Sequence, residues 1–166
     1  MSQRPNRPHS RLDRMIARLS AQAEALAYAA ALIQDRTGPI LEVGLGKGRT
    51  YDHLRTLLPT RDIWCFDGSL HAPPAAQPPP DRLILGDFRH TLVTARDQLP
   101  PACLIHCDFG TEDRSRDQAL VAALAGPVAA LLAPSGLVVM DRVMSIQGAT
   151  TLWQSKTGFD YTVIQV

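Results

Sequence analysis

Along the first fifth of the chain the apolar positions Leu12, Met15, Ile16, Leu19, Ala23, Leu26, Ala30 and Ile33 recur at helical spacing, which predicts an amphipathic helix over residues 11–35. Ser10 is placed to cap its start, and Thr37-Gly38-Pro39 stops it. Beyond that point the pattern changes to short, continuous apolar runs bounded by turn residues. These predict strands at 39–43, 62–67, 82–87, 102–108 and 136–141, with helices at 48–58, 88–98 and 113–132 between them. The last of these helices is read as one element or as two broken at Gly126-Pro127. Strands that are apolar throughout are buried on both faces, as in a parallel sheet. The alternation of strand and helix then implies an α/β fold, a doubly wound, mostly parallel sheet with helices on both faces, preceded by the long first helix.

Two segments fit less well. Residues 68–80 contain Pro73, Pro74, Pro78, Pro79 and Pro80, so any crossover helix there must be short or absent. In the tail, residues 150–156 read as a short helix stopped by Gly158, and residues 159–166 as one last strand.

Length and composition bound what such a sheet can carry. The 166 residues, 45% of them apolar, suffice for one domain with a real core and not for two, so residues 10–166 are expected to form it. Residues 1–9, polar and broken by Pro5 and Pro8, read as a loose tail. A net charge of +1 supplies no field to draw nucleic acid or an anionic membrane. No signal-like or membrane-spanning stretch is evident, and the expectation is a soluble cytoplasmic protein. Cys65, Cys103 and Cys107 fall inside apolar strands and read as reduced core thiols.

The chemistry concentrates in Glu42-Val43-Gly44-Leu45-Gly46-Lys47-Gly48, between the first strand and its helix. Alternating glycines permit positive φ and close approach of the main chain to a ligand, and the helix start beyond them offers unpaired N–H groups. Glu42, Asp67, Asp87, Asp108 and Asp141 each lie in or at the end of a predicted strand, so a parallel sheet would gather them on one rim. A dinucleotide-binding Gly-x-Gly-x-x-Gly would need glycine where Arg49 stands, and a P-loop would need Ser or Thr where Gly48 stands.

With these motifs, residues 37–142 resemble the class I S-adenosylmethionine-dependent methyltransferases, whose first motif is acid-x-Gly-x-Gly-x-Gly. The resemblance implies S-adenosyl-L-methionine as cofactor. It implies that Gly44, Gly46 and Gly48 pack under the methionine part, and that Glu42 orients the loop or reaches the ammonium through water. Asp67 would take the ribose hydroxyls, and Asp87 with Phe88 the adenine. Asp108 would face the ammonium or the acceptor, and is the candidate catalytic residue.

Each role has a plainer rival: the glycines as a packing turn, Asp67 and Asp87 as turn residues beside Gly68 and Gly86, Asp108 as a helix cap, and Asp141 as a cap or a partner of Arg142. His106, in mid-strand, reads as a core histidine rather than a base, and His71 as a solvated loop residue.

A metal-dependent catechol branch of that family sets an Asn after the acid ending strand five. Arg142 stands there, so no metal is expected. The near-absence of insertions suits a small-molecule acceptor. A homodimer contact through the first helix or last strand also fits the pattern, and the helix would equally serve as core or as a lid. The single predicted tail strand departs from the family's antiparallel ending. A binder without transferase activity is therefore a rival function, and a catechol-type metal-dependent O-methyltransferase and a nicotinamide-linked oxidoreductase are the others.

Overall fold

The computed structural model describes residues 10–166 apart from Glu112 and the side chain of Arg114, so the expected tail at 1–9 lies outside the described residues. Helix α1 (Arg11–Leu32) starts where expected. Asp13 N–H donates to Ser10 Oγ at 3.0 Å, while the Asp13 carboxylate accepts from Ser10 N–H at 2.7 Å, a reciprocal cap. The order then runs β1 (Ile40–Val43), α2 (Arg49–Leu57), β2 (Ile63–Asp67), two single 3-10 turns in the proline-rich loop, and β3 (Leu83–Leu85). It continues α3 (Phe88–Ala95), β4 (Ala102–Cys107), α4 (Arg114–Leu131), β5 (Leu132–Met140), β6 (Thr150–Gln154) and β7 (Thr162–Gln165).

These strands form one seven-stranded sheet in the order β3-β2-β1-β4-β5-β7-β6. The first five are parallel, and β7 enters antiparallel between β5 and β6. The strand order reverses between β1 and β4, the place where doubly wound sheets open a crevice at their carboxyl ends.

Two predicted elements change. Residues 150–154 form an edge strand rather than a helix. The β-branched pair Thr150-Thr151 and Trp153 suit a pleated half-buried surface, and β7 offers them a ladder that no local pattern reveals. The tail therefore holds two antiparallel strands, not one, and the sheet is complete. Strand β5 also begins four residues earlier than Gly136. Its first stretch is irregular, with Ser135 at φ +62° and a register shift opposite Ala102 and Leu104. Helix α4 continues through Pro127 as a single element.

Alternating residues on the strands feed two cores. Ile40, Cys65, Leu104 and Val139 pack with α1 and α2 through Leu26, Ala29, Tyr51 and Leu54. Leu41, Phe66, Ile105 and Val138 pack with α3 and α4 through Leu92, Leu124 and Val128. All three cysteines are buried and unbonded to one another. Only the C-terminal half of α1 belongs to the core. Leu12, Met15, Ile16 and Leu19 remain substantially exposed, because this half of the helix overhangs the carboxyl edge of the sheet. Among the described residues no helix is long and apolar enough to cross a membrane.

Candidate functional site

Strand register sets the site. Val43 pairs with Phe66 and with Cys107, and Cys107 pairs with Met140, so the next residue on each strand, Gly44, Asp67, Asp108 and Asp141, comes level with the others along one edge. By the two-residue alternation of a strand, Gly44, Asp67 and Asp108 face the α1 side of the sheet, while Asp141, one residue past the end of β5, lines a space beside α4. Asp67, Asp108 and Asp141 are thus gathered on one rim as expected, with Asp87 two residues beyond the Asp67–Leu85 pair, whereas Glu42, two residues before Gly44, is not on it.

The glycine loop bends over this rim with Gly44, Gly46 and Gly48 all at positive φ. Their surroundings differ. A Cβ on Gly44 would fall 2.1 Å from the Asp108 carbonyl oxygen, so this glycine lets the ends of β1 and β4 touch. A Cβ on Gly48 would fall 2.4 Å from the Ala76 carbonyl oxygen, which places Gly48 against the proline-rich loop and out of the cavity lining. Gly46 alone of the three has open space over its Cα.

Beneath the bend is a cavity of about 180 Å³, walled by Gly44, Gly46, Asp108 and the α1 residues Met15, Arg18 and Gln22. It is smaller than the roughly 300–1,000 Å³ of ligand sites. The reason is a clamp: Arg18 Nη2 donates to Asp108 Oδ1 at 3.0 Å and Gln22 Nε2 to Asp108 Oδ2 at 2.6 Å, drawing α1 down on the loop. Neither α1 residue was legible as a site residue, since nothing local ties them to Asp108. Arg18 Nε is buried and without a partner among the described residues.

Glu42 lies wholly inside the sheet, bonded to the Thr50 hydroxyl and to His106 Nδ1. It braces the first turn of α2 and does not line the cavity. His106 is a buried core histidine, as expected. Burial opposes its charge, but the Glu42 carboxylate prevails, and its pKa is raised.

Asp67 Oδ2 accepts from Gly46 N–H at 2.7 Å and so ties the loop to β2. Asp87 is exposed and caps α3, accepting from Arg89 N–H at 2.9 Å, a bond that lowers its pKa. Phe88 beside it meets Phe109, ring centroids 5.6 Å apart, an aromatic ledge past the end of β4 of which only Phe88 was foreseen. Asp141 carries no hydrogen bond or ion pair among the described residues, whereas its neighbour Arg142 is paired with Asp117 at 2.8 Å. Burial, then the nearby Asp108, pushes the Asp141 carboxyl up to about 6. The rival reading of Asp141 as a partner of Arg142 is not met, since Arg142 pairs with Asp117. Among the described residues no group of three or more His, Cys, Asp or Glu side chains could hold a metal ion.

A family model described as S-adenosyl-L-methionine methyltransferase matches residues 9–157. The crystal structure of an S-adenosyl-L-methionine methyl transferase from Silicibacter pomeroyi is 32% identical over 95% of this chain and 98% of its own, with a TM-score of 0.87. Cofactor-bound Rv0187 from MTB, 14% identical over 97% of this chain and 92% of its own, superimposes with a TM-score of 0.57. The sugar N-methyltransferase KedS8 from Streptoalloteichus sp., 17% identical over 92% of this chain and 64% of its own, has a TM-score of 0.54. At those identities the last two share the fold alone. Among curated proteins none matches.

Proposed function

Because the chain belongs to the S-adenosyl-L-methionine methyltransferase family and is an enzyme that uses that cofactor, we propose that it methylates a small molecule, without a metal, at the rim shared by the glycine loop and Asp108. The bound cofactor supplies an electrophilic methyl group on a sulfonium. The protein's task is to align an acceptor with that methyl and to exclude water.

The observation that carries the placement is the cavity under Gly46, open where a Cβ would otherwise stand and level with Asp67 and Asp108. In this reading the main chain at Gly44 and Gly46 lies against the methionine part. Asp67 takes the ribose hydroxyls, and Asp87 with the Phe88–Phe109 ledge takes the adenine. Asp108 receives the ammonium and Arg18 the carboxylate, each exchanging its present partner for the oppositely charged end of the ligand. Gly48 and Glu42 shape the loop from beneath. With Gln22 still on Oδ2 and the ammonium in place of Arg18, both Asp108 oxygens are engaged, so Asp108 suits binding better than proton transfer.

The small-molecule reading rests on the narrow wall left for an acceptor: α1, the proline-rich loop and the segments flanking β6. The metal-free reading rests on Arg142, which directly follows Asp141 and offers no oxygen ligand there. Incubation with methyl-labelled cofactor and a metabolite extract tests both. Label is expected in small molecules and to be undiminished by a chelator. Label only in protein or nucleic acid, or transfer abolished by the chelator, would overturn the proposal.

A further inference from the structure

We propose that a second cavity, beside Asp141, is the acceptor site, that it takes a small organic amine, and that the Asp141 carboxylate receives the acceptor's N–H. This rests on the small-molecule reading above and deepens it. The cavity, about 510 Å³, is lined by Gln118 and Val121 of α4, by Asp141, Val143 and Ser145 after β5, and by Asp160 before β7. That volume falls within the range of small-molecule sites.

Its position suits transfer. Asp108 lines the first cavity and Asp141 the second, and the two end adjacent parallel strands one residue past the Cys107–Met140 pair. Their backbones are therefore about one strand spacing apart, ~4.8 Å. Arg142 lines the second cavity and Gly110 the first. Its guanidinium lies on Gly110, where a Cβ would fall 2.1 Å from Nη2.

The charges select the ligand. The Arg142 cation is committed to Asp117 at 2.8 Å and to the Thr111 carbonyl at 3.1 Å. Asp141 and Asp160 have no such partners among the described residues. A partly buried carboxylate without a partner is costly unless a ligand completes it. Besides Arg142, Asp141 feels Asp108 and His106 of β4 and Arg18 of α1; burial and Asp108 outweigh the cations and raise its pKa to about 6, which leaves it an anion at neutral pH. Two uncommitted carboxylates and a neutralised cation favour a cationic guest over a neutral or anionic one, while Val121 and Val143 offer apolar surface to its organic body.

The chemistry balances. An ammonium entering the cavity gives one proton to Asp141, which frees the nitrogen lone pair. That pair forms the N–C bond to the methyl as the C–S bond breaks and its electrons stay on sulfur, and Asp141 then returns its proton to water.

The test uses three probes of one shape, benzylamine, benzyl alcohol and benzoate, titrated into the full chain saturated with S-adenosylhomocysteine and followed by amide chemical shifts. Benzylamine is expected to shift the amides of residues 141–145 saturably. Asp141→Asn should weaken it at least ~10-fold and Asp160→Asn less, with S-adenosylhomocysteine affinity unchanged in both. Equal or better binding of the alcohol or benzoate, shifts confined elsewhere, or benzylamine binding unaltered by Asp141→Asn would overturn the assignment. Failure of S-adenosylhomocysteine to bind would instead defeat the cofactor placement, and the same titrations on the unliganded chain would still decide the acceptor cavity.

Discussion

Glu42 and His106 oppose each other across β1 and β4 with Oε2 and Nδ1 2.8 Å apart, neither side chain exposed. From this pair a hydrogen-bonded chain runs both ways. Glu42 accepts from Thr50 in α2. His106 Nε2 meets Tyr161 Oη at 3.0 Å, Tyr161 accepts from Gln22 at 3.1 Å, and Gln22 reaches Asp108. The underside of the glycine loop is thus joined to the acid on its rim. Glu42→Leu should strand the His106 and Thr50 donors inside the sheet and destabilise the fold by about 3 kcal/mol. Urea denaturation would show it as a lowered midpoint at unchanged slope.

Stability should fall as pH rises, in two windows. Asp141 is raised in the folded chain, from the ordinary carboxyl value of 3.8 to about 6, so it contributes stability below about pH 4 that is lost by about pH 6. His106 is also raised, so its contribution is present below its unfolded pKa of about 6.5 and is lost above it. Asp141→Asn removes the first loss. Discounted for partial solvation, it should stabilise the protein by about 1–2 kcal/mol at pH 7 and by almost nothing at pH 4. Thermal melts at the two pH values check this, and a variant no more stable than the parent at pH 7 would count against an unpartnered carboxylate.

The three glycines should respond differently to alanine. Gly44→Ala and Gly48→Ala drive a methyl into the Asp108 and Ala76 carbonyls, so both should lose much of the folded population. Gly46→Ala meets no atom within 4 Å and pays only for its left-handed backbone, about 1 kcal/mol, yet it should weaken cofactor binding because the methyl enters the cavity. Melting curves and calorimetry on the three variants separate the two effects.

Much of this was legible because the parallel sheet converts sequence into position: an acid ending each buried run must arrive on one rim. The distinct tasks of Gly44, Gly46 and Gly48 were not legible, since each depends on which remote segment crosses the loop. Arg18 and Gln22 escaped for the same reason, as helical spacing fixes the apolar face of α1 but not how far its first half projects past the sheet. Residues 150–154 misled because a short amphipathic segment fits either period, and only its pairing with β7 decides. Asp141 looked like a neighbour of Arg142, and the competing partner Asp117 comes from α4.

The clamp of α1 on Asp108 predicts a selective role for Arg18. Arg18→Ala should weaken S-adenosylhomocysteine about 10-fold and leave 5′-methylthioadenosine, which lacks the amino-acid end, within about twofold. Equal losses for both ligands would mean that Arg18 acts only through the packing of α1.

The most direct measurement is calorimetric titration of S-adenosylhomocysteine into the parent chain and into Asp67→Ala, the variant that removes the rim acid facing Gly46. One molecule should bind per chain, and the variant should bind more weakly by about 1–3 kcal/mol, roughly 5- to 150-fold. No binding to the parent, or equal affinity for both proteins, would contradict the assignment of the glycine loop and its acidic rim to the cofactor.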